Sequence, residues 1–399
     1  MFSLALAALL VLPAAPDTVL SHLPDAPAPA SARVDVTPRV NVFALYSGDY
    51  GLGLAGGVRA TSGGTVATLD GRLSQGWQGA ALTVDTHDPA TARAYGRLRG
   101  VASSVSRWRY HGVGSGTDAD ERVDLDLRSA RLTAGVGVRP LATRAVTVRP
   151  EVGVRFDRLA PPTDAQQTEL ARGFSEASRV AVERSAGQTH TALSAGATAE
   201  LDTRDRAEYP SAGTVVAVGA HHTVSADGRG LRLTRYDVRA AGFVPLGQRV
   251  VLFGRASATV TDAGDDFVPV YLLPTLDADR LAGFPDDRFR GRDLALVSVG
   301  ARVPIIDAFG TFGVDATVTA SAGNAYDDLF ADASPTLSFG PPDDGTAALR
   351  PVLGLGLALV NIPKGRVALG GTLGLGPEGT TLLAFRLATG LGDDLPVLW

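Results

Sequence analysis

From Val40 onward the apolar positions of this chain recur every second residue. In residues 311–322, Phe312, Val314, Ala316, Val318, Ala320 and Ala322 fall on one face, and Thr311, Gly313, Asp315, Thr317, Thr319 and Ser321 fall on the other. A helix, turning about 100° per residue, would mix the two sets, so the pattern predicts a strand. Residues 250–260 repeat it, with Val250, Leu252, Ala256, Ala258 and Val260 opposite Arg255, Ser257 and Thr259. In 235–240, Tyr236, Val238 and Ala240 alternate with Arg235, Asp237 and Arg239; in 295–303, Ala295, Val297, Val299, Ala301 and Val303 oppose Ser298, Gly300 and Arg302. Gly, Asp and Pro turns separate such segments. Only Thr163–Val182 has helical character, and it reads as a loop insertion.

Many short alternating strands fit a closed barrel or a sandwich. Residues 1–15 tilt the choice: Leu4–Ala15 is almost purely apolar and resembles the core of a secretory signal, although no Lys or Arg precedes it. Residues 16–37, rich in Pro, Ala and Ser, read as an extended linker, leaving 38–399 for the strands. No run of about 18 apolar residues predicts a transmembrane helix. Arg255, Asp237, Arg239 and Asp315 sit in mid-strand opposite an aliphatic face. In lipid only a closed barrel leaves no unpaired strand edge, and a polar lumen accepts such charges. The expectation is an all-β fold, a transmembrane antiparallel β-barrel facing lipid.

Composition narrows the chemistry. The chain has 399 residues, no cysteine and a formal net charge of −5. It therefore has no disulfide framework and no thiolate chemistry, and without a basic stripe nucleic acid is not an expected partner. Two runs, Gly51–Gly56 and Gly374–Gly379, have dinucleotide-type glycine spacing, but neither opens a helix after a strand. His221 and His222 are adjacent, so on a strand they point to opposite faces and cannot share an ion. Acidic pairs such as Asp286-Asp287 lack the spaced ligands of a calcium loop. There is no G-x-S-x-G elbow and no S-x-x-K pair. No catalytic residue, metal site or cofactor is expected, and the chain does not read as an enzyme.

One segment stands out. Leu276–Arg292, LDADRLAGFPDDRFRGR, joins two strand-like runs, yet it is too long for a hairpin turn and carries both signs of charge. Loops of this kind are usually functional or packed into something.

Three patches together resemble the Omp85, or bacterial surface antigen (D15), superfamily of outer-membrane barrels. The first, Leu201–Gly213, resembles a D-x-R-D…P-x-x-G periplasmic turn through Asp202, Arg204, Asp205, Pro210 and Gly213. The second is the segment just described, similar to an L-G-G-x-x-L-R-G-F/Y loop followed by R-F-R-G. The third, Val314-Asp315-Ala316, resembles the strand carrying a lumen-facing acid; Tyr110–Ser115 is a softer match to F-G-x-G-N. The resemblance implies about 16 strands and a long loop folded into the lumen, with Arg280, Gly283, Phe284, Arg288 and Arg290 as loop residues and Asp315 and Arg302 as wall partners. Ala282 stands where the family has the loop arginine, so the expected pair is Arg280 or Arg288 with Asp315. Only the linker precedes the barrel, as in a member without POTRA domains. The implied function is assembly or translocation of protein or lipid, with a separate periplasmic client or accessory protein. A passive or gated porin-like channel or a structural surface antigen is the alternative, with an outer-membrane hydrolase behind both.

Overall fold

The computed structural model describes residues 35–386 apart from 40–44, 48–50, 88–91, 115–116, 118–120, 141–144, 207–208, 229, 248–249, 277–280, 282, 286, 309–311, 340–346, 362–365 and 377–378. β1 (Asp35–Arg39) and β2 (Leu45–Ser47) align one after the other along β3 (Gly51–Ser62). Each strand then pairs antiparallel with the next: β4 (Thr65–Ser74), β5 (Trp77–Asp85), β6 (Ala94–Tyr110), β7 (Val123–Val138), β8 (Val146–Leu159), β9 (Thr189–Asp202), β10 (Gly213–Ser225), β11 (Arg232–Leu246) and β12 (Val250–Asp262). β13 (Thr275–Leu276) and β14 (Phe289–Arg290) pair only with each other. The main sheet resumes with β15 (Asp293–Ala308) beside β12, then β16 (Phe312–Tyr326). After the short β17 (Ser334–Leu337) come β18 (Ala348–Asn361), which pairs with β16, then β19 (Arg366–Gly376) and β20 (Gly379–Arg386).

Of the 18 elements in this sheet, β1 and β2 are two pieces of one edge strand and β17 is a parallel appendage of β18. That leaves 16 antiparallel strands, the expected number. β2 also touches β20, so the two ends of the sheet lie side by side.

Connection lengths differ between the two ends of the barrel. The strand order sends 63–64, 86–93, 139–145, 203–212, 247–249, 309–311 and 362–365 to one end, and 75–76, 111–122, 160–188, 226–231, 263–292, 327–347 and 377–378 to the other, which carries the longest connections. In outer-membrane barrels short turns face the periplasm and long loops face outward. The 160–188 connection holds two helices, Asp164–Gly173 and Glu176–Ser185, where helical character was expected. A Thr163–Gln166 capping box starts the first, and Ser175 caps the second.

The period-two pattern sorts the wall. Leu73, Val152, Val244 and Val299 are about 60% exposed and point outward, as an apolar band facing lipid requires. Alternating with them, Asp85, Asp157, Ser298, Arg302, Asp315 and Thr317 are buried on the inner face. Where β15 and β16 shift register, Pro304 sits at the irregularity, the kind of position at which a sheet tolerates proline.

Candidate functional site

The lumen is occupied at its long-loop mouth by the 263–292 connection. Its residues Val268, Val270, Tyr271, Leu272 and Leu273 pack against Trp108 and Tyr110 of β6, Leu125 of β7, and Leu170 and Val182 of the two helices. Two wall arginines that alternate with outward-facing Phe156 and Tyr236 hold it from below. Arg155 donates to the Tyr271 carbonyl at 3.3 Å, and Arg235 donates to the Leu272 carbonyl. A backbone carbonyl gripped by a guanidinium is a charge-assisted bond in a confined space, so it anchors more firmly than a neutral pair.

Four of the five predicted loop residues, Gly283, Phe284, Arg288 and Arg290, lie in this plug. The Arg288 guanidinium, fully buried, donates to both the hydroxyl and the carbonyl of Thr117 in the 111–122 connection. Arg290 donates to the Val270 carbonyl at 2.8 Å and to Asp287 at 3.0 Å, with its guanidinium 4.4 Å from the centroid of a Trp108 ring. Phe284 meets Phe289 edge-on, with centroids 4.7 Å apart, among Leu276, Leu281, Leu294 and Val352. Gly283 has φ 135°, and a Cβ there would lie 2.4 Å from a Val352 methyl, so only glycine lets the loop lie against β18. Arg280 and Ala282 lie outside the described residues.

His111 shares this region. It is 1% exposed, and among the described residues the only hydrogen bond that favours its charged form comes from the Glu121 backbone. Burial, reinforced by the charges of Arg288, Arg109 and Arg122, pushes its pKa down to about 3, so the imidazole is neutral at ordinary pH.

The short-turn mouth is closed differently, and here the expected pairing of Arg288 with Asp315 is corrected. Asp315 lies near the start of β16, 11 residues and ~36 Å of strand from Tyr326 at the loop end. Neither Arg288 nor Arg290 binds it. Its partners are Arg302, at 3.8 Å, and the Tyr209 hydroxyl, which donates to it. Arg302 also donates to the Pro210 carbonyl at 2.6 Å, and Tyr209 packs with Ala358 and Val360 of β18. The 203–212 turn leaves from β9 and β10, whereas these partners sit on β15, β16 and β18, three to five strands further round. The turn therefore reaches across the mouth.

The turn's own sequence makes it stiff enough to do so. Asp202 accepts from the Arg204 backbone N–H at 3.0 Å and from its guanidinium at 2.9 and 2.7 Å. Asp205 accepts from the N–H groups of Ser211 and Ala212 at 2.8 and 3.1 Å, and from the Ser211 hydroxyl. Slight burial pushes its carboxyl up, but these bonds outweigh that and hold it below the usual carboxylate range. Gly213 closes the turn at φ 100°, where a Cβ would strike the Thr203 carbonyl at 2.4 Å. Burial pushes the Tyr209 phenol up, so it stays protonated and can donate. Tyr209 lies inside the turn motif, yet the pattern did not single it out. A tyrosine just before the motif proline was the available signal.

Between the closures the wall is charged on one side. Arg97 binds Asp85 twice, at 2.8 and 3.2 Å; Arg131 and His221 flank Glu151 at 3.8 and 3.6 Å; Arg239 meets Glu200 at 3.0 Å. Facing them, β15–β18 present small groups such as Gly300, Thr317, Thr319, Gly354 and Gly356.

No protein-family model and no curated protein matches the chain. Among solved structures, BamA from Haemophilus ducreyi lacking POTRA domains 1-3 is similar at TM-score 0.60 and 12% identity, over 89% of this chain and 69% of that one. CdiB from Escherichia coli (TM-score 0.50, 10% identity) and CdiB from Acinetobacter baumannii (TM-score 0.50, 9% identity) also match over 89% of this chain. The chain covers 60% and 64% of those two, less than two thirds of either. At such identities the likeness shows the fold alone, an antiparallel β-barrel of the kind found in those structures.

Proposed function

We propose that this chain is an outer-membrane barrel that assists the assembly or translocation of protein or lipid, with its lumen kept shut at rest. The single observation carrying this reading is the filled lumen: 263–292 is gripped by Arg155 and Arg235 at one mouth, and Tyr209 is docked on Arg302 and Asp315 at the other. A diffusion pore has no use for two closures, whereas a machine that opens for a client needs them. In this reading the apolar outer band meets membrane lipid, the long loops face outward, and the 203–212 turn faces the periplasm. A separate periplasmic client or accessory protein would act on that turn, since Tyr209 couples it to the wall. No step in this role requires catalysis by the chain.

Depleting the protein in its own cells and quantifying outer-membrane protein and lipid tests this. Loss of one class before growth slows is the expected result. Unchanged content with altered uptake of small solutes would overturn it in favour of a channel.

A further inference from the structure

Between the two closures, one wall cation has no neutralising partner among the described residues. Arg255 lies at the middle of β12, opposite Ala241 of β11 and Ser298 of β15. Alternation with outward-facing Leu252, 41% exposed, turns it to the lumen. Its Nε and Nη2 are shielded from solvent and make no hydrogen bond. The guanidinium carbon stands 5.1 Å from the centroid of the Phe253 ring. That ring fills the recess over Gly300, where a Cβ would lie 2.5 Å from it. The aromatic shelf thus props the cation in place without neutralising it.

The acids of the neighbouring strands are engaged elsewhere. Glu200 holds Arg239 at 3.0 Å, Asp237 accepts from Thr259 at 2.8 Å, and Asp315 is taken by Tyr209 and Arg302. Arg302, opposite Val251, adds a second positive charge along the same wall. A shielded, unpaired guanidinium is unfavourable unless something supplies the missing anion. The inner-facing hydroxyl of Ser298, its cross-strand neighbour, can donate to the same spot.

We propose that Arg255 anchors an anion site in the lumen that takes a phosphate group, with the planar guanidinium bonding two of its oxygens and Ser298 a third. The site stands whether or not the chain moves protein or lipid. The phosphate could be free or the headgroup of a lipid, and the two sources are separable.

The test is binding to the full chain in non-ionic detergent, read by calorimetry and by thermal unfolding at constant ionic strength against chloride. One arm titrates inorganic phosphate and the other short-chain phosphatidic acid; the tighter of the two identifies the source. Saturable binding in either arm, weakened about ten- to a hundredfold in Arg255→Gln, is expected, since a bond to a charged group is lost. Arg255→Lys should fall between them, and Arg239→Gln, which removes a paired cation, should bind like the parent. Without ligand, Arg255→Gln should unfold at a higher temperature than the parent, because an unpaired charge has gone. No saturable response in either arm, or an undiminished response in Arg255→Gln, would overturn the proposal.

Discussion

The guanidinium of Arg302 lies 3.6 Å from the centroid of the Tyr209 ring while the Tyr209 hydroxyl donates to Asp315. A residue of a turn is thereby clamped between a cation and an anion of the barrel wall. Both wall groups are nearly buried, and the Pro210 carbonyl completes the hydrogen bonding of Arg302. The clamp joins β9–β10 to β15–β16, so whatever moves the turn also pulls on the wall.

Graded removal of Tyr209 should loosen the turn in two steps. Tyr209→Phe loses a hydrogen bond to a charged acceptor, a cost of ~1.5–3 kcal/mol, but keeps the ring. Tyr209→Ala loses the ring as well, for a total of ~3–5 kcal/mol. Protease cleavage within 203–212 of the protein in vesicles should rise from parent to Phe to Ala. Equal cleavage in all three would show that the turn is not held through this side chain.

The wall pair should be coupled. Arg302→Gln or Asp315→Asn alone leaves a buried charge unmatched and should lower stability by ~3–5 kcal/mol, while the double variant should lose clearly less than the sum. Urea titrations of the refolded barrel measure this cycle. Additive losses would mean that the two residues act independently.

At the other mouth, Arg288→Ala removes both bonds to Thr117 and should expose 263–292 to protease without changing the strand content seen by circular dichroism. Gly283→Val should do the same, because a side chain at φ 135° would also collide with Val352. Parent-like protease resistance in both variants would contradict the plug.

Acid should open this plug. His111 has its folded pKa lowered from 6.5 to about 3, so between those values the unfolded loop binds the proton and the folded one does not. Stability is therefore full above pH 6.5 and falls as pH drops towards 3, by up to about 1.4 kcal/mol per pH unit. In His111→Phe this dependence should vanish. A plug whose protease resistance has the same pH profile in parent and variant would rule His111 out as the cause.

Much of the fold was legible because the strand period is short and strict. The faces of 250–260, 295–303 and 311–322 place Leu252, Val299 and Val318 outward and Arg255, Arg302 and Asp315 inward, as the structure has them. The helices of 160–188 and the packed nature of Leu276–Arg292 were also readable. The partners were not. Arg288 and Arg290 are held partly by backbone carbonyls of Thr117 and Val270, and any residue offers a carbonyl, so no sequence signal marks the one used. Tyr209 and Asp315 are 106 positions apart and meet only because the barrel curves a turn on one wall towards strands further round. Arg155 and Arg235 likewise become anchors only once a loop descends to meet them.

The claim that the barrel is shut by its own segments at both mouths is tested most directly by single-channel current across planar bilayers. The account predicts that the intact protein shows only rare, brief openings, and that Tyr209→Ala combined with Arg288→Ala conducts for long periods. A large, steady conductance from the intact protein would contradict it.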